Sequence, residues 1–123
     1  MSIVRHGRNP GTAGLDRASQ VVVHNGTVYF VVTGNRPFEG TPSAAEQAKQ
    51  CLAKAEERLA AAGSSKSKLL TVQIWLSDMR YFQEVNAVYD PWLDQQNLPV
   101  RCCAAVELGH PDLKVEMIMV AAL

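Results

Sequence analysis

The sequence predicts an α+β fold: a mixed β-sheet with two helices packed on one face. Three observations carry this reading. Stretches of alternating or β-branched character enclose two stretches of helical periodicity, in the order strand, hairpin, helix, strand, helix, strand, strand. The length of 123 residues suits one domain, residues 1–123, around one core. An apolar fraction of 47% beside a charged fraction of 20% is ordinary for a globular chain.

The elements follow in order. After an opening strand, residues 7–17 (GRNPGTAGLDR) are rich in Gly and Pro and read as loop. SQVVVHNGTVYFVVTG reads as a hairpin: two β-branched runs flank His24-Asn25-Gly26-Thr27, and Asn-Gly supplies the pair of positive φ angles that a type I′ turn needs. A helix is expected at about 42–62, with Thr41 as cap and Pro42 in the first helical position. Ser43 and Glu46 offer a competing capping box one register later. Ala45, Ala48, Leu52, Ala55, Leu59 and Ala62 form its apolar stripe, and Gly63 is the stop. Cys51 lies beside the stripe and reads as packing.

KLLTVQIWLSD alternates, with Leu70, Val72, Ile74 and Leu76 on one face and Thr71, Gln73, Trp75 and Ser77 on the other. A second helix is expected from about 79 to the low nineties. Phe82, Val85, Tyr89 and Trp92 form its stripe with Val88 beside it, and Pro91 kinks or ends it. Strands at about 100–107 and 114–121, joined by GHPD, close the chain.

Charge excludes some functions. Twelve Lys and Arg balance twelve Asp and Glu, with no basic tail or cluster, so nothing electrostatic argues for a nucleic-acid partner. No apolar run is long enough for a membrane span, and MSIVRHGRNP has no apolar signal region, so the expected location is the cytoplasm. Cys51, Cys102 and Cys103 are odd in number and two are adjacent, which argues against a disulfide framework. With His6, His24 and His110 scattered, no metal-ligand spacing appears and no metal is expected.

Strand parity singles out the candidate site. Val100, Cys102, Ala104 and Val106 make one apolar face, as do Val115, Met117, Met119 and Ala121; both are expected to meet the helices. Arg101, Cys103 and Glu116 are then expected to share the opposite face with Trp75, Ala105, Ile118 and Val120. Two helices cannot cover both sides of such a sheet, so an apolar second face implies a partner, most simply another copy in a closed ring or dimer. Charges buried there need partners. Arg101 and Glu116 could pair with each other. Alternatively, Arg101 is kept for an anionic ligand, since guanidinium grips a carboxylate bidentately, while Glu116 acts as base or water holder.

LPVRCCAAVELGHPDLKVEMIMVAAL, SDMRYFQEVNAVYDPWL, YFVVTGN and AAAGSSKSKLLTVQIWLSD together resemble the RidA (YjgF) family across nearly the whole chain. The first resembles the family's Pro-x-Arg-x-Cys strand, prolyl loop and glutamate-bearing strand. The second resembles its Asp-x-x-x-Phe-x-x-x-Asn-x-x-Tyr helix, with Asn86 at the asparagine. Thr33-Gly34-Asn35 stands where the family has Ser-Gly-Gln. VVVHNGTVYF and the PVRC strand look similar to a divergent subgroup called YoaB-like.

The resemblance implies a fold like the trimeric chorismate mutases: a homotrimer with three interface sites. It implies cofactor-free hydrolysis of reactive enamines and imines, such as 2-aminoacrylate or 2-iminobutanoate, to 2-keto acids and ammonia. Arg101 would bind the small carboxylate. Thr33, Asn86 and the backbone of Gly34 and Cys103 would line the substrate, and Glu116 would hold the attacking water. The Cys103 thiol need not be a nucleophile. Two departures stand out: Ala18 replaces the tyrosine of a Tyr-Ser-Gln motif, and the hairpin strand is about two residues longer. The missing tyrosine motivates an alternative, a non-catalytic binding protein for small carboxylates. A third reading, an endoribonuclease, is opposed by the neutral charge and by His24 and His110 lying in an exposed turn and loop.

Overall fold

A computed structural model describes residues 2–40 and 43–123. Six strands, β1 (Val4–Pro10), β2 (Asp16–His24), β3 (Thr27–Thr33), β4 (Leu69–Leu76), β5 (Val100–Ala105) and β6 (Val115–Ala122), form one sheet in the order β1-β2-β3-β6-β4-β5. All neighbours are antiparallel except β4 and β5. A parallel pair needs a long crossover, and helix α2 (Phe82–Trp92) supplies it. Helix α1 (Ala44–Ala62) lies over β2, β3 and β6 and packs against α2. The expected mixed sheet with both helices on one face is therefore present.

The β2–β3 hairpin turns at Asn25 (φ 52°) and Gly26 (φ 75°), the two positive angles of a type I′ turn. The expected loop at 7–17 is shorter than anticipated, because its ends are drawn into β1 and β2. β1 is an edge strand with mostly exposed side chains, so it carries no apolar alternation to betray it. Pro10 ends the strand, where a missing donor costs little.

Helix α1 starts at Ala44 with Ser43 as its cap, the side-chain oxygen accepting from the Glu46 amide at 3.2 Å. The later of the two cap registers is thus the one used; Thr41 and Pro42 lie outside the described residues. Ala44, Ala48, Cys51, Leu52, Ala55 and Leu59 are buried, whereas Ala45 is only half-buried. At the far end the Gly63 and Ser64 amides donate to Ala60 and Leu59. A short 3₁₀ turn, Met79–Tyr81, precedes α2, and Pro91 falls in its last turn.

Strand β4 departs from strict alternation. Leu69 pairs with Ala121 and Thr71 with Val120, so Leu70 is the extra residue of a bulge and is left 46% exposed. Leu69, not Leu70, joins Val72, Ile74 and Leu76 in the core with Val115, Met117, Met119 and Ala121.

The parity expected for β5 is inverted. In the β4–β5 ladder Val72 pairs with Arg101, Ile74 with Cys103 and Leu76 with Ala105. Val72, Ile74 and Leu76 face the helices, so Arg101, Cys103 and Ala105 do too. Val100, Cys102 and Ala104 are exposed on the open face instead of packing in the core. An apolar face read as core is here the uncovered side of an edge strand. The open face also carries Tyr29 and Val31, both nearly half exposed, and half-buried Trp75, Ile118 and Val120. Among the described residues, no helix is long and apolar enough to cross a membrane.

Candidate functional site

Arg101 stands on the edge strand β5, beside α2. Its Nη2 donates to the Asn86 side-chain oxygen at 2.6 Å. The guanidinium lies over the Tyr89 ring, 4.8 Å from its centroid, and 5.7 Å from that of Phe82. Asp90 is 4.0 Å away but largely exposed, a contact of small energetic weight. The side chain is only 22% exposed. Helical spacing explains the cradle: Phe82, Asn86, Tyr89 and Asp90 recur at three- and four-residue intervals, so one face of α2 holds one guanidinium. A cavity of about 410 Å³ opens here, lined by Phe82, Asn86, Asp90, Arg101, Cys102 and Cys103. Burial raises the Tyr89 hydroxyl above its ordinary pKa, with the Arg101 charge opposing, and keeps the ring neutral.

Glu116 stands elsewhere. On β6 it alternates with the buried Val115 and Met117, so it projects from the open face. Its neighbours across the ladders are Thr33 on β3 and Trp75 on β4. Desolvation raises its carboxyl above the ordinary 4.5. No described residue makes a hydrogen bond or ion pair to it. Glu116 and Thr33 line a second cavity of about 930 Å³ with Arg17, Arg36, Phe38, Glu39 and His110 among its walls.

The end of β3 beside this cavity is fixed from α1. The Lys54 ammonium donates to the carbonyls of Thr33 and Gly34 at 3.0 and 3.1 Å, and burial lowers its pKa. Gly34 is buried against α1: a Cβ there would meet the Gln47 Cγ at 3.1 Å. Gln47 in turn donates to the Asp112 carbonyl and accepts from the Lys114 amide, which pins the loop leading to Glu116. Asn35 donates its amide to Gln50 at 2.7 Å.

The expected site residues therefore fall into two groups. Arg101, Asn86 and Cys103 meet at one cavity; Thr33 and Glu116 meet at the other, with Gly34 next to Thr33. The expectation that Arg101, Cys103 and Glu116 share a face is corrected: within one chain they lie on opposite sides of the sheet. Direct pairing of Arg101 with Glu116 inside one chain is excluded for the same reason. The two adjacent cysteines also exchange roles, with Cys102 on the open face and Cys103 packed at the edge of the core beside Arg101. His110 is not solvated as expected. Its ring is 2.9 Å from the Glu39 carboxylate and 5.2 Å, centroid to centroid, from Phe38. Arg17, Arg36 and His110 were not visible as site residues in sequence, since each sits in a segment without periodicity. Among the described residues, no three His, Cys, Asp or Glu side chains are grouped to hold a metal.

Comparison with known proteins adds the family. The family model described as endoribonuclease L-PSP matches residues 12–123. The chain belongs to the RidA (YjgF) family. Its relatives in this family include YoaB, a RutC family protein of Escherichia coli K12, 38% identical over 107 residues, covering 87% of this chain and 91% of the relative. A RutC family protein of Haemophilus influenzae is 37% identical over 106 residues, covering 85% and 90%. Among solved structures, a YjgF family member from Neisseria meningitidis superposes with a TM-score of 0.87 at 32% identity, covering 99% of this chain and 95% of that one. The RidA-type fold and a YoaB-like place within the family follow.

Proposed function

We propose that the chain assembles as a closed homotrimer and hydrolyses 2-imino and 2-enamino acids to 2-keto acids and ammonia at sites between subunits. The observation that carries this reading is the Arg101 cradle. A half-buried guanidinium is oriented by Asn86 and two aromatic rings, with its weak exposed contact to Asp90 as its only ion pair among the described residues. That is a receptor for a small carboxylate.

Arg101 and Glu116 can serve one ligand only if they come from neighbouring subunits. The uncovered apolar face supports such an assembly, and a head-to-tail interface that closes gives a ring. In the assembled site Arg101 fixes the substrate carboxylate. Glu116 holds a water and takes its proton as the oxygen attacks C2 of the imine. The imine nitrogen takes that proton as the carbinolamine forms; it then takes a second proton, given up by the hydroxyl as the C–N bond breaks, and ammonia leaves a 2-keto acid. An enamine first takes a proton at its β-carbon to become the imine. A carboxyl raised by desolvation is suited to both directions of this transfer. The chemistry requires water alone as co-reactant.

The test is a coupled assay in which an amino-acid oxidase generates 2-iminopropanoate or 2-iminobutanoate. The wild-type protein is expected to accelerate ammonia release, and Arg101→Ala to abolish the acceleration with the assembly intact. A wild-type rate equal to the uncatalysed one overturns the proposal for those substrates. Ala18 in place of the family's tyrosine favours a second reading, a carboxylate-binding protein; keto-acid binding without any turnover is its signature.

A further inference from the structure

We propose that Arg17 and Arg36 form a second anion subsite beside Glu116, so that the substrate is a 2-imino acid whose side chain carries another carboxylate. This rests on the reading of Arg101 as the receptor of the first carboxylate and narrows its substrate class.

The cavity around Glu116 gathers two guanidinium groups that its carboxylates do not pair. Of its two carboxylates, Glu39 is held at 2.9 Å by the His110 ring, and Glu116 makes no ion pair with a described residue. Neither Arg17 nor Arg36 makes an ion pair or a hydrogen bond with a described residue. Nearby acids are already engaged: Asp16, next to Arg17, is paired with Arg8 at 3.2 Å. Arg36 is oriented over the Phe38 ring, 5.7 Å from its centroid, and Phe38 is itself buried against His110. A guanidinium placed over an aromatic ring keeps its in-plane N–H donors free for a ligand.

The geometry of the assembled site gives these arginines a direction. The first carboxylate is taken by Arg101 of one subunit, and C2 must lie within reach of a water on Glu116 of the next. The side chain of the ligand then continues into the cavity that Glu116 shares with Arg17 and Arg36. With about 930 Å³ the cavity exceeds the needs of a two- or three-carbon acid. A side chain ending in a carboxylate would meet two unpaired guanidinium groups there. An apolar side chain would leave both without a counter-ion.

The test is calorimetric titration of the full-length protein with 2-oxobutanoate and 2-oxoglutarate, which are product analogues with one and two carboxylates. The wild-type protein is expected to bind 2-oxoglutarate at least about tenfold more tightly, the ordinary gain from one charge-assisted contact. The double variant Arg17→Gln/Arg36→Gln is expected to bring the ratio of the two affinities to within about twofold. The pair Arg17→Lys/Arg36→Lys is expected to keep most of the preference, which a purely structural role would not do. Equal wild-type affinities overturn the subsite, as does a preference that survives in the glutamine pair. The underlying reading fails separately: if neither acid binds, or if 2-oxobutanoate binds equally to Arg101→Ala, the carboxylate receptor itself falls and the subsite with it.

Discussion

Arg101 and Glu116 lie on opposite faces of one sheet, with β4 between their strands. A single chain holds two incomplete sites: a cation with a cradle at one edge, and an unpaired carboxyl on the uncovered face. Each half has the features expected of a group waiting for a ligand. Arg101 is oriented before any ligand arrives, and Glu116 is partly stripped of water.

The Asn86 bond to Arg101 is short and between a charged donor and a neutral acceptor. Asn86→Ala is expected to weaken binding of 2-oxobutanoate by about tenfold, since such contacts contribute about 1.5–3 kcal/mol. Titration calorimetry checks this. Stability should fall by no more than about 1.5–3 kcal/mol, because the bond is only partly buried. An unchanged affinity would show that Asn86 does not position the guanidinium.

Glu116 gives a pH dependence with a definite sign. Its folded pKa is raised above 4.5, so the folded chain holds this proton more tightly than the unfolded chain. The contribution is fully present below that value and is lost as pH rises through the raised value. Glu116→Gln should therefore melt higher than wild type at neutral pH, with the difference vanishing at pH values below the ordinary carboxylate range. It should also be inactive. Thermal melts of both proteins across pH check the sign; a variant less stable than wild type at neutral pH contradicts it.

The bulge in β4 separates two apolar residues that sequence alternation places together. Leu70→Gln is expected to change stability by less than about 0.5 kcal/mol, as an exposed substitution does. Ile74→Ala, at a fully buried position, should cost about 2–5 kcal/mol. Denaturant unfolding of the two variants distinguishes this register from one in which both residues are core.

The Cys51 thiol is buried against the carbonyls of Val32 and Val115, and burial pushes it up to about 12. Since the thiolate is the reactive form, Cys51 should resist iodoacetamide at pH 8 in the native protein and react only after unfolding. Peptide mapping of the alkylated protein checks this, with rapid native labelling at Cys51 as the contrary result.

Most of the fold was legible because its core elements carry strong periodicity. The β2–β3 hairpin follows from Asn25-Gly26, and α1 from the stripe that ends at Gly63. What failed did so at the margins of the sheet. The opening strand is present as expected, but β1 has no buried face, so its extension through Pro10 into the expected loop shows only in the backbone ladder. In β5 the sequence places the apolar residues Val100, Cys102 and Ala104 in the core, as apolar positions usually are, yet on an uncovered edge strand they mark the open side. That inversion moved Arg101 away from Glu116. The resemblance to the RidA family points to Arg101, Asn86, Cys103, Thr33, Gly34 and Glu116, but local parity does not say that they fall into two groups on opposite faces. Arg17 and Arg36 are invisible for another reason: one near the start of β2 and one in the loop after β3, they acquire meaning only from the cavity that gathers them.

In the proposed assembly each working site takes Arg101 from one subunit and Glu116 from the next. Mixing tests it directly. Arg101→Ala and Glu116→Gln proteins, each inactive alone, are unfolded together in equal amounts, refolded and assayed for imine hydrolysis. In a head-to-tail ring about one quarter of the interfaces then join an intact Arg101 to an intact Glu116, and about one quarter of the wild-type rate should return. A mixture as inactive as its two components would rule out a site shared between subunits.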